Sequence, residues 1–314
     1  MRLQLKSFTT AGLVLVALAL PGAAAGADPI QDDSAPPMKM LRLESGLAVP
    51  ADGRFRSKAQ EQAFSDAVSQ AYAQGASDAE LRDDFGLVNV SDAPASPKPQ
   101  SALPSAAHQQ AAAAALDEPT KAEPDDPSRG CTTGGVRTNG TNPDKFFVGA
   151  PQFYKAQGPG NPGFVVIAKW RWNDGADPTA GVSTCFANVG GRDGVGLTLS
   201  RNVTRLSQSL SICPYNVKCH AAGSMADNNA RGAAFMFQDQ ASSVGSNSTS
   251  GSIAVSFRYL QPAKCHQAFA KYWHTWQETA VTGIGVGPYS LSVEWNSHDE
   301  RWTRAGNAGN NGKC

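Results

Sequence analysis

The sequence predicts a mainly β protein: an antiparallel β-sandwich or jelly-roll domain with disulfides, preceded by a short helical acidic segment and a disordered linker. Three observations carry this. All six Trp and 23 of the 31 Gly of the 314-residue chain fall after residue 130. In that region apolar and polar residues alternate every second position, the period of a strand with one face inward. All six cysteines lie there too, in a chain whose first residues read as an export signal.

Taken in order, Arg2 and Lys6 precede an apolar run from Ala11 to Leu20, then Pro21-Gly22 and a tract of small residues ending Ala25-Gly26-Ala27. That is the build of a signal peptide over 1–27, cleaved after Ala27. An apolar run this short does not cross ~30 Å of hydrocarbon, so no membrane span is expected and the mature protein is expected to be secreted and extracellular.

Residues 28–90 form an acidic leader or propeptide, with 9 basic and 17 acidic side chains between 28 and 130. From Ser57 to Gln74 the apolar positions Ala63, Phe64, Ala67, Val68, Ala71 and Tyr72 make one helical stripe, and Gly75 ends it. Ser77-Asp78-Ala79-Glu80 is a capping-box start for a second helix reaching about Phe85, with Gly86 at its stop. The segment reads either as a propeptide covering a site or as a solvated spacer. Two helices joined by a tight turn also suit a nucleic-acid reader, but Asp78, Glu80, Asp83 and Asp84 put negative charge where phosphates would lie, so no nucleic-acid partner is expected. Residues 91–130 hold seven prolines among Ala, Ser, Gln and acids and read as an extended linker.

Residues 131–314 form the sandwich domain. Phe164 to Trp172, Val195 to Leu199, Leu206 to Ile212, Ala233 to Phe237 and Tyr272 to Val281 are predicted strands. Ile253, Val255, Phe257 and Tyr259 should face one way, with Ser252, Ala254, Ser256 and Arg258 facing the other. Tyr289, Leu291, Val293 and Trp295 should share a face opposite Glu294. The glycines of Gly190-Gly191-Arg192-Asp193-Gly194 and Gly283-Ile284-Gly285-Val286-Gly287 read as turn or bulge positions, since no strand-to-helix setting makes them a phosphate cradle. The expected disulfides are Cys213 with Cys219 around a tight loop, Cys131 with Cys314 joining the domain ends, and Cys185 with Cys265 by elimination.

Familiar catalytic motifs are absent: no nucleophile elbow, zinc-protease helix, Walker loop or dinucleotide fingerprint occurs. No two histidines of the domain have metal-pair spacing, so no metal or other cofactor is assigned. Asn173-Asp174-Gly175-Ala176-Asp177 has the oxygen-rich composition of a calcium loop, which ordinary turn chemistry explains equally well.

Lys271-Tyr272-Trp273-His274-Thr275-Trp276-Gln277-Glu278 concentrates aromatic and polar groups. On a strand, Tyr272, His274 and Trp276 share one face, and Trp170 repeats the pattern. Exposed rings beside hydrogen-bonding groups suit sugars, so these four residues are the candidate ligand-binding set, and a surface or cell-wall polysaccharide is the expected partner. The alternative is a secreted glycoside hydrolase with Glu278 and Glu294 as its carboxylate pair, which requires the two to face each other across a scissile bond. A further alternative is an extracellular protein-binding or structural protein.

Overall fold

The computed structural model describes residues 40–42, 48–50, 55, 57–91, 136–137, 142–157, 163–173, 179–180, 187–214, 217–242, 245–261, 264–296 and 300–314. The described elements start with β1 (Met40–Arg42), β2 (Ala48–Pro50), α1 (Lys58–Ala73), α2 (Asp78–Phe85) and β3 (Leu87–Asn89). It continues through β4 (Val136–Arg137), β5 (Phe146–Val148), β6 (Gln152–Ala156), β7 (Phe164–Trp172), β8 (Thr179–Ala180), β9 (Ala187–Leu199) and β10 (Val203–Cys213). Next come β11 (His220–Ala221), β12 (Ser224–Asn229), β13 (Gly232–Ser242), β14 (Gly245–Ser246), β15 (Ser250–Tyr259) and β16 (Gln267–Thr275). The chain closes with β17 (Val281–Gly287), β18 (Ser290–Trp295), β19 (Arg301–Ala305) and β20 (Gly309–Asn310).

Two antiparallel sheets of seven strands each make the sandwich. One runs β11-β10-β15-β7-β6-β3, with β5 also on β7; the other runs β12-β13-β9-β16-β19, with β14 on β13 and β20 on β16. Their inner faces interdigitate into the main core: Val166, Ala168, Trp170 and Trp172 from β7 and Ile253, Val255 and Phe257 from β15 meet Val195 and Leu197 from β9, Phe235 and Phe237 from β13, and Tyr272 from β16. The predicted alternation of β15 holds along its length, because a pleated strand sends successive side chains to opposite faces.

Both outer faces are covered as well. α1 lies against β10 and β15, and Phe64, Val68 and Tyr72 pack with Leu81, Leu87, Tyr154, Val165 and Ile167. Ser57 caps α1 by accepting from the Gln60 amide, and α2 starts with the predicted capping box, Ser77 and Glu80 each bonding the other's backbone. Gly86 ends α2 at φ 67°, a left-handed stop that glycine adopts without a Cβ penalty. β3 then pairs with β6 as an edge strand of the sheet. Residues 57–91 are thus part of the same packed unit, Met38–Cys314, and are not a solvated spacer. On the opposite side, β17 and β18 form a hairpin whose Val281, Ile284, Val286, Leu291 and Val293 pack against Trp273 and Ala234.

Two disulfides are formed among the described residues. Cys213–Cys219 matches the sequence expectation. The expected pairings Cys131–Cys314 and Cys185–Cys265 do not form, because Cys265 bonds Cys314. The reason is strand pairing: Gln267 stands opposite Asn310, and the Asn311 amide donates to the His266 carbonyl, which carries the last residue to the start of β16. The bond closes a separation of 49 residues, for which chain entropy allows about 4 kcal/mol. Cys131, Cys185 and the signal-peptide and linker segments lie outside the described residues, as do positions 174–177 of the calcium-like turn. No described helix is long and apolar enough to cross a membrane.

Candidate functional site

Strands β7 and β16 carry the aromatic and histidine residues singled out by the sequence, and the sandwich turns them inward. Trp170 is 2 % exposed, and Tyr272 and His274 are fully buried. Trp170 packs 5.4 Å from the Tyr272 ring. These three residues cannot present a face to a sugar; Trp276 alone is partly exposed, and it too packs on the core. Their burial has a simple cause. β16 is flanked by β9 and β19, its inner face meets the other sheet, and its outer residue Trp273 lies under the hairpin, so neither face is free.

β16 also ends earlier than its pattern suggests. Thr275 is its last residue, and 276–280 form a turn before β17, with Gln277 held at φ 56°. Glu278 is therefore exposed in a turn, while Glu294 is exposed on β18. The segments bearing them are neighbours: Asn296 donates from Nδ2 to the Glu278 carbonyl at 3.0 Å and accepts from the Ala280 amide at 2.6 Å. Neither glutamate has the buried, water-excluded setting that a general acid uses. The groove of about 280 Å³ lined by Gln62, Asp66, Gln208, Leu210 and Phe235 lies at α1, away from both.

A different constellation occupies the core. Asp193 from β9, Asp239 from β13 and His274 from β16 all project between the sheets and are fully buried. The His274 imidazole meets Asp193 with Nδ1 2.8 Å from Oδ2, and the Tyr272 hydroxyl donates to the same oxygen at 2.7 Å. The other oxygen of Asp193 accepts from the Thr275 amide at 2.8 Å. Asp239 accepts through Oδ1 from Ser246 at 2.8 Å and Ser248 at 2.6 Å. Its Oδ2 has no hydrogen-bond partner among the described residues and lies 3.9 Å from His274 Nδ1. Trp172 and Trp302 wall the histidine, with ring centroids 5.2 and 5.0 Å away.

Local sequence explains how the strands aim these groups. Asp193 continues the inward series Val195, Leu197; Asp239 continues Phe235, Phe237; His274 continues Tyr272. Between Asn188 and Arg192 the register with β13 shifts, so Gly190 and Gly191 are bulge residues, as expected. There a side chain has no room: a Cβ at Gly190 would meet the Trp276 backbone at 2.5 Å.

Burial sets the electrostatics. It pushes the Asp239 carboxyl up to about 6, helped by the facing Asp193 and opposed by His274 and the two serine hydroxyls. Burial works against protonating His274, yet Asp193 and Asp239 outweigh it and raise its pKa. The Tyr272 phenol is driven well above its ordinary value by burial, and further by both aspartates. Asp193, Asp239 and His274 bring three ligand-type atoms within 4.8 Å of one another. The sequence signal for this cluster was an acid or imidazole standing where an inward alternation calls for an apolar residue; the register that unites three strands was not readable.

The second cluster is on the surface of the hairpin. Gly283, Gly285 and Gly287 of β17 stand opposite Glu294, Ser292 and Ser290 of β18. The outward face therefore carries only small or polar side chains. At its tip Tyr289 is 54 % exposed at φ 53°, its hydroxyl donating to Gln267 at 3.2 Å and its ring edge-on to Phe269. At its base Trp295 lies under the Arg301 guanidinium, 4.6 Å from the ring. No protein-family model matches this chain, and no curated protein matches it.

Proposed function

We propose that this is an exported binding protein for an extracellular polysaccharide, and that the outward face of the β17–β18 hairpin, rather than the aromatics of β7 and β16, is its binding surface. The observation that carries the reading is the pairing of alternating glycines with Ser290, Ser292 and Glu294, which leaves a shallow polar strip beside a fixed, exposed Tyr289 ring. From Ser290 to Asn296 the strip runs about 20 Å at a rise of ~3.4 Å per residue. A shallow strip suits an extended chain: hydroxyls bond to the serines, the carboxylate and Asn296, and a sugar's C–H face stacks on the tyrosine. Of the two non-glycine residues at positive φ among those described, Gln277 lies in the turn that leads into this hairpin and Tyr289 at its tip. Backbone conformations of that kind persist where the surroundings over-determine them, and they concentrate at binding sites. In this reading Glu278 and Glu294 are ligand contacts.

The test is depletion of the purified protein from solution by insoluble chitin, cellulose and peptidoglycan. Saturable loss onto one polymer, reversed by its soluble oligomer and weakened about tenfold by Tyr289→Ala or Ser292→Arg, is the expected result. No depletion onto any of them, or binding indifferent to both substitutions, overturns the assignment. Release of soluble sugar during the assay, abolished by Glu278→Gln or Glu294→Gln, would make the protein a hydrolase instead.

A further inference from the structure

We infer that the buried cluster of Asp193, Asp239 and His274 is a binding site for one divalent transition-metal ion of the zinc class, held between the sheets by Asp193 Oδ2, Asp239 Oδ2 and His274 Nδ1. Two independent observations support it. The three donor atoms come from three adjacent strands and lie within 4.8 Å of one another, with Nδ1 2.8 Å from Asp193 Oδ2 and 3.9 Å from Asp239 Oδ2. Asp239 Oδ2 is fully buried, points at this group and has no hydrogen-bond partner among the described residues.

Charge favours the same conclusion. Two carboxylates facing each other in an aromatic core leave at least one negative charge uncompensated when the imidazole is the sole cation. Protonating Asp239 instead creates an O–H that His274 Nδ1, at 3.9 Å, is too far away to accept. A divalent cation with a neutral imidazole brings the site to zero net charge and gives Asp239 Oδ2 a partner. The mixed nitrogen and oxygen set suits zinc; calcium asks for six to eight oxygens, more than this pocket offers. The remaining contacts act as supports. Thr275 fixes the second oxygen of Asp193, and Ser246 and Ser248 fix that of Asp239, the outer hydrogen bonding that orients metal-binding carboxylates. Because the cluster is sealed between the sheets, loading accompanies folding.

The experiment unfolds the full chain in denaturant with its disulfides intact and refolds it with EDTA, zinc chloride or calcium chloride. After desalting, bound metal is measured by elemental mass spectrometry and Tm by calorimetry. The expected result is one zinc per chain, a Tm several degrees above the EDTA sample, and no shift with calcium. Asp239→Asn should lose the zinc and its Tm increment, while its EDTA-refolded form is at least as stable as the wild type in EDTA, since a buried charge is gone. Identical Tm in all three buffers, no retained zinc, or zinc retained equally by Asp239→Asn overturns the site. An Asp239→Asn protein destabilised equally in every buffer shows a hydrogen-bonded ion network without metal, and overturns it too.

Discussion

The two outer faces of the sandwich are both covered, but by different chemistry. On the helix side, α1 meets β10 and β15 across serines: Ser69 bonds Ser252 at 2.7 Å, Ser207 donates to the Glu61 carbonyl at 3.1 Å, and Ser65 stands beside Ser256 at 3.5 Å. Ser209 and Ser211 are buried there with no hydrogen-bond partner for their hydroxyls among the described residues. On the hairpin side the contact is apolar and close. A Cβ at Gly194 would lie 2.7 Å from Ile284 Cδ1, and one at Gly196 would lie 2.9 Å from Leu291 Cδ2. Glycine on β9 therefore admits the hairpin, whereas serine on β15 receives the helix. Hydrogen bonds exchanged for those with water contribute little net stability, so the helix side rests on its few large apolar anchors.

Four substitutions sharpen this contrast. The largest effect is expected for Phe64→Ala, which removes a buried anchor of α1 and should lower unfolding free energy by about 3 to 5 kcal/mol, read from urea unfolding. A loss below about 1 kcal/mol would mean that the helix hardly supports the sheet. Next is Gly194→Val, which puts three extra carbons against Ile284 and Trp273. It should cost about 3 kcal/mol and speed proteolysis within the hairpin before the rest of the chain. Uniform protection of the hairpin would show that Ile284 yields without displacement. The smallest effects belong to the serine interface. Ser69→Ala and Ser252→Ala should each cost about 1 kcal/mol and the double variant little more than either, because the bond the two hydroxyls share is lost once. In each single variant the remaining hydroxyl keeps a backbone carbonyl, Ser252 Oγ that of Ser69 at 2.8 Å and Ser69 Oγ that of Ser252 at 3.4 Å. Additive losses in that cycle would show that the hydroxyls act separately.

The contrast also explains what could be read in advance. The serines of β15 alternate with Ile253, Val255 and Phe257, a pattern that ordinarily marks a solvent face; only the helix docked upon it makes that face interior. For β16 the error runs the other way. Tyr272, His274 and Trp276 resemble a displayed face, yet two neighbouring strands, a facing sheet and a covering hairpin leave nothing displayed. Glu294 was legible as outward-facing, because it alternates against an apolar series that had to point inward, whereas Glu278, expected within a strand, lies in the turn after β16. The disulfide partner of Cys314 depended on β20 pairing with β16 across more than forty intervening residues, which no local pattern encodes.

By itself the sequence determined the elements: two capped helices, strands of period two, the glycine bulge at 190–191 though not at Gly194, Gly285 or Gly287, which pair as ordinary strand residues, and the Cys213–Cys219 loop, all set by interactions between residues a few positions apart. The tertiary structure decided which faces are buried, where the C-terminus is tied, and that Asp193, Asp239 and His274 share one pocket. Those features arise from strand register and layer stacking, which join residues more than thirty positions apart and are selected by the packing of the whole sandwich.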